Sequence, residues 1–122
     1  MGSLKFYVDS LEKQKVRGIF LLTFISADGS VKIEGEFPEF LVKAKIDAGD
    51  DVQIVLSEEK LEAEKLKDFG ELVTILRGIV FKRSASGGMI SLSAGGLQFR
   101  ISDEVGFVPE ANELYFGLVK LI

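Results

Sequence analysis

The sequence predicts an all-β fold, an antiparallel barrel or sandwich of six to eight short strands. Three observations carry it. Apolar and polar residues alternate with a period of two in several stretches, longer runs are apolar at nearly every position, and turn pairs (Asp28-Gly29, Gly49-Asp50, Gly87-Gly88, Gly95-Gly96) fall between them.

Taken in chain order, residues 18–25 form an apolar run expected of a central strand. Val31, Ile33 and Phe37 then alternate with Lys32, Glu34 and Glu36, the pattern of a half-buried strand, and Val52, Ile54 and Leu56 repeat it. Residues 72–81 and 114–121 are again apolar on both faces. Between them, Ile90, Leu92 and Ala94 alternate with Ser91 and Ser93, and Leu97, Phe99 and Ile101 with Gln98, Arg100 and Ser102. Residues 57–70 break the pattern. They are strong helix formers, with Ser57 placed to cap the first amides, Glu58 and Glu59 suited to the positive helix end, and Gly70 suited to a left-handed C′ position. Leu61, Leu66 and Phe69 give only a narrow apolar stripe, so a short, mostly solvated helix or a mobile excursion is expected there.

A faint repeat suggests two similar halves. Arg17-Gly18-Ile19 recurs as Arg77-Gly78-Ile79, each copy leads through a Gly turn (Asp28-Gly29, Gly87-Gly88), and each half closes on an acidic turn before a strand (Asp50-Asp51-Val52, Asn112-Glu113-Leu114). Two half-barrels, roughly 1–56 and 71–122, joined by an acidic connector over 57–70, would make one domain with few free strand edges. At 122 residues such a domain buries about two-thirds of its unfolded surface.

Composition removes much chemistry. With no Cys and no His there is no thiol nucleophile, imidazole base, disulfide or Cys/His zinc site. No run approaches the roughly 18 apolar residues of a membrane span. The first residues lack a basic region leading into an apolar one, so the expected compartment is cytoplasmic, with no membrane partner. The net charge of -4 is local: residues 47–71 hold nine acids and three bases (-6), leaving twelve bases and ten acids (+2) elsewhere. The acidic residues lack the alternating ligand spacing of a calcium loop and read as a solvated face, and neither Gly pair precedes a helix as a phosphate cradle would. No metal or cofactor site and no catalytic residue is expected. Small barrels also bind single-stranded nucleic acid, and Arg77, Lys82 and Arg100 are the residues that would serve. Against this, the cations are scattered, the net charge is negative, and most Phe residues (Phe20, Phe81, Phe99, Phe116) sit in apolar runs that read as core.

Three segments of the second half, residues 76–83, 90–101 and 114–121, resemble the eighth subunit of multisubunit DNA-dependent RNA polymerases, a family shared by archaeal and eukaryotic enzymes. The likeness is clearest at Gly95-Gly96-Leu97 with Arg100 three positions on, and at Leu114-Tyr115 with Lys120-Leu121. In the first half Val31-Lys32-Ile33-Glu34 and Gly49-Asp50-Asp51-Val52 are similar more loosely. The resemblance implies an OB-like antiparallel eight-stranded barrel built from two similar halves. It also implies a non-catalytic assembly subunit docked on the largest polymerase subunit, with direct nucleic-acid contact weak or absent. The partner surface would then include Gly95, Gly96, Arg100, Tyr115 and Lys120. Eukaryotic members carry a long acidic loop between the halves, and the compact 57–70 segment resembles the shorter archaeal form instead.

Overall fold

The structure, a computed structural model, describes residues 2–14 and 18–121. Eight strands form: β1 (Gly2–Lys13), β2 (Ile19–Ser26), β3 (Val31–Pro38), β4 (Asp51–Ser57), β5 (Glu71–Arg83), β6 (Met89–Ala94), β7 (Leu97–Asp103) and β8 (Glu113–Lys120). Two short helices accompany them, α1 (Glu39–Lys45) and α2 (Ala63–Leu66). The strands close into one antiparallel barrel in the order β1-β2-β3-β7-β6-β5-β8-β4. An all-β barrel with a short helical excursion is thus the fold.

The order contains the same unit twice. β4-β1-β2-β3 and β8-β5-β6-β7 are each a Greek key, and the barrel closes where β3 meets β7 and β4 meets β8. The two halves share one core. Its aromatic centre runs from Phe24 on β2 to Phe37 on β3 (ring centroids 5.9 Å apart), then to Phe99 on β7 (5.2 Å) and Phe116 on β8 (5.5 Å). Tilted and edge-to-face rings of this kind contribute beyond their burial, here across both halves. Gly35 on β3 makes the packing possible, because a Cβ there would overlap the Phe99 ring.

Equivalent connections plug the barrel. Between β3 and β4, α1 sends Val42 into the core, followed by Ile46, and its Lys45 Nζ donates to the Leu72 carbonyl of β5 at 3.1 Å. Between β7 and β8, residues 104–112 bring in Phe107 and Val108, with the Phe107 ring 5.7 Å from Phe6 of β1. The buried Asp103 carboxylate organizes that loop by accepting the amides of Val105 (3.2 Å), Phe107 (3.0 Å) and Val108 (2.9 Å). Each plug reaches the first, long strand of the other half, α1 through Lys45 to Leu72 and the 104–112 loop through Phe107 to Phe6.

Several sequence expectations are corrected. The repeat landmarks are displaced by one strand: Gly18-Ile19 leads into β2 whereas Gly78-Ile79 lies within β5, and Asp28-Gly29 joins β2 to β3 whereas Gly87-Gly88 joins β5 to β6. Arg17 lies outside the described residues. Only the acidic turns before β4 and β8 correspond. The 57–70 segment has its expected short helix, over Ala63–Leu66, but Ser57 accepts the Glu59 amide in a local turn rather than capping that helix. Gly70 is nearly extended (φ 159°) rather than left-handed, and the position needs glycine because a Cβ would overlap the Lys120 carbonyl oxygen. The 71–83 strand is not buried on both faces, since Ile79 and Phe81 are 60% and 58% exposed. A strand at Gly2–Lys13 and a helix at Glu39–Lys45 were not legible as separate elements.

Candidate functional site

The two seams that close the barrel differ on their outer faces. Over β4·β8 the connector lies flat. Leu61 and Leu66 bury Val55 of β4 and Val119 of β8, with Leu72, Ile75 and Tyr115 packed around them. Gly117 on β8 leaves the room, since a Cβ there would stand 2.8 Å from one Leu66 methyl and 3.1 Å from one of Leu61. The packing also explains why the strong helix formers do not make a long helix. Leu61 and Leu66, five positions apart, would diverge by about 140° on a helix, whereas a bent, irregular 58–62 ahead of the one-turn α2 lets both reach the sheet.

Over β3·β7 no described segment lies. Register places Lys82 (β5), Ser91 (β6), Arg100 (β7) and Glu34 (β3) in one cross-strand row. Ile79, Ser93 and Gln98 form the neighbouring outward row. With strands about 4.8 Å apart, the Lys82 and Arg100 backbones stand about 10 Å from each other across β6. Between the two rows β5 carries a bulge, the register shifting between Val80 and Lys82, and Phe81 is the extra residue. A bulge re-aims its side chain, and here the ring is delivered to solvent. Phe81, Lys82, Arg100, Glu34 and Glu36 line a shallow groove of about 370 Å³.

The charges in that groove are unequally committed. Glu36 accepts the Gln98 amide at 2.7 Å, where the β3·β7 ladder ends after Gly35 and Phe99, so its carboxylate replaces a missing backbone acceptor. Glu34 forms an ion pair with Lys32 at 3.7 Å. Lys82 and Arg100 are exposed and make no ion pair or side-chain hydrogen bond among the described residues.

The residues singled out from sequence therefore separate. Gly95 and Gly96 form the β6–β7 reversal at φ 58° and 87°, in open space, and Arg100 follows on the bare seam. Tyr115 belongs to the covered seam and packs against the connector. Lys120 lies at the end of that seam, paired with Asp50 at 3.5 Å. Of the cations considered for nucleic acid, Lys82 and Arg100 share the groove. Arg77 stands apart, held by the Glu113 carboxylate. Their mutual hydrogen bond keeps the Glu113 carboxyl below its ordinary pKa and the Arg77 guanidinium above its own. Ile79 and Phe81 were missed because an apolar strand run reads as core, and nothing in the sequence marks the bulge.

A further acid has a structural task. Asp28 accepts from Ser26 Oγ (2.9 Å), the Ser30 amide (3.0 Å) and Ser30 Oγ (2.6 Å), which hold its carboxyl pKa at about 2 and fix the β2–β3 turn. Among the described residues no three His, Cys, Asp or Glu side chains converge as a metal site, and no helix is long and apolar enough to cross a membrane. No protein-family profile matches the sequence, and none of the curated proteins matches it significantly.

Proposed function

We propose that this chain is a non-catalytic assembly subunit of an archaeal-type DNA-dependent RNA polymerase, working in the cytoplasm and docked on the largest subunit. The observation that carries the reading is the coincidence of motif and architecture. The segments that resemble the polymerase subunit fall, in order, on β5, β6–β7 and β8 of a closed barrel that repeats one four-strand unit twice. The absence of thiol and imidazole groups suits a subunit that leaves chemistry to its neighbours. A tagged copy purified from its source cells is expected to recover the large polymerase subunits in stoichiometric amounts. Recovery of the chain alone, under conditions that keep the polymerase intact, would overturn the proposal.

A second reading, a free-standing OB-like module for single-stranded nucleic acid, is favoured by one observation, the exposed Phe81 ring in the same groove as Lys82 and Arg100. Glu34 and Glu36 in the same groove, and the net charge of -4, oppose a phosphate backbone there. Salt-dependent oligonucleotide binding that is lost when Arg77, Lys82 and Arg100 are changed to Ala would support this reading. No binding at low salt would remove it.

A further inference from the structure

We infer that the outer face of β5-β6-β7-β3 is self-complementary, and that a second copy of this chain docks on it about a two-fold axis parallel to the strands. It stands apart from the assembly reading, since it concerns the free chain in solution.

The groove over these strands is charge-balanced, Lys82 and Arg100 against Glu34 and Glu36, so it favours no partner of a single sign. The signs are nevertheless set apart. Along one row of outward side chains the order is Lys82 on β5, Ser91 on β6, Arg100 on β7 and Glu34 on β3. A two-fold axis running between β6 and β7, parallel to the strands, turns this row end for end. Lys82 then meets the partner's Glu34, and the long Arg100 meets the partner's short Ser91, each contact being made twice. A two-fold axis across the strands would instead lay each strand on its own copy, with cations near cations and acids near acids. The chain itself leaves these charges available. Lys82 and Arg100 form no ion pair among the described residues, although Arg100 stands directly beside Glu34. Glu34 holds only Lys32, an exposed pair at 3.7 Å of the kind that contributes little and exchanges readily. The bulge of β5 suits the same axis. Phe81 leaves the sheet between the two outward rows, and the turned copy presents there the backbone of the partner's Gly35, with the partner's Leu21 beside it on β2. Two Phe81 rings, each 58% exposed in the single chain, thereby supply the apolar contact that charge pairs lack. So small an interface gives a dissociating dimer, with a Kd on the order of 100 μM.

The test is sedimentation equilibrium of the full chain, from about 5 to about 500 μM, at low and high salt. A monomer–dimer equilibrium is expected, with Kd rising about tenfold between about 50 and about 500 mM salt as the charge pairs are screened. Lys82→Glu and Glu34→Lys should each weaken the dimer about tenfold, because each sets like charges together twice. An equimolar mixture of these two variants should recover the wild-type Kd to within about threefold. In the mixed dimer the two altered positions face each other, and so do the unaltered Lys82 and Glu34. Phe81→Ser should weaken the dimer about tenfold, and mixing should not rescue it. Melting temperatures of dilute, monomeric samples should be unchanged, because all three side chains are exposed or half-exposed. A chain monomeric at every concentration, a dimer indifferent to these variants, or a variant mixture that fails to associate would each overturn the inference. The other occupant is tested on dilute protein labelled with nitrogen-15. An oligothymidylate that shifts the amides of residues 79–82 and 98–100, while no dimer forms at any concentration, would give this face to nucleic acid and overturn the inference. Recovery of polymerase by a tagged copy decides the assembly reading separately from all of these outcomes.

Discussion

The two seams of this barrel are made alike and finished differently. Both join equivalent strands of two Greek keys, and both have a glycine where something large comes close. At β3·β7 that glycine, Gly35, faces inward and admits the Phe99 ring, while at β4·β8 Gly117 faces outward and admits the connector leucines. The first seam is therefore anchored in the core with its outer face open, and the second is clasped from outside by the chain itself. A closed barrel has satisfied its backbone once the strands pair, so what lies on its outer faces is set by side chains alone. One face was completed within the chain. The other carries Arg100, unpaired among the described residues, with exposed Ile79, Phe81 and Lys82 two strands away on β5.

That contrast can be broken or sharpened at four places, taken from the largest effect to the smallest. Asp103 faces Val31 at one end of the open seam and holds three loop amides. Asp103→Ala strands those donors and should cost about 4 kcal/mol in a urea unfolding experiment, with Asp103→Asn recovering part of it. On the clasped seam, Leu66→Ala should cost about 2 kcal/mol and raise protease cleavage within 57–70, whereas the same seam without a real clasp would show neither. Glu36→Ala, at the other end of the open seam, leaves the Gln98 amide to water and should cost about 1 kcal/mol, measured the same way.

The smallest effect is one that acid removes. Asp28 has a folded pKa of about 2 against an ordinary 3.8, so the folded state releases its proton more readily than the unfolded chain does. Its stabilisation is present above about pH 4 and disappears as the pH falls through 2. Urea midpoints of wild type and Asp28→Asn should therefore converge over that interval and stay apart, by a constant amount, at neutral pH.

Much of the barrel could be read from alternation because a half-buried strand must place its residues on two unlike sides. Val31, Ile33 and Phe37 are buried as expected, as are Ile90, Leu92 and Ala94. The same signal existed in β1, where Phe6 and Val8 are buried between outward Lys5, Tyr7 and Asp9, but it is blurred by the aromatic Tyr7 on the polar side. The helix α1 spans seven residues, too few to establish a 3.6-residue period before Val42 and Ile46 reach the core. Residues 57–70 form the short helix expected of them, over Ala63–Leu66 alone. Their propensity is helical, but burying Leu61 and Leu66 against Val55 and Val119 takes precedence over propensity. The candidate site was half legible. Arg100 stands on the open seam and the Gly95-Gly96 turn joins β6 to β7 beyond its end, while Lys82 falls in line with Arg100 only through strand register. Phe81 depends on a bulge, an offset between two strands that no single-strand pattern contains.

The connector also has a consequence for how the barrel assembles. It runs from β4 to β5, yet those strands are not neighbours, because β8 lies between them. Residues 57–70 therefore form a strap stepping over a slot, and the eighth strand must enter beneath it, pairing with β4 on one side and β5 on the other. Until it does, both flanking strands keep an open edge and Val55 has no Val119 beside it under the leucines. Strand insertion and strap closure are thus one cooperative event, joining segments some sixty positions apart along the chain, and such distant pairings place barrel completion late and slow on the folding route.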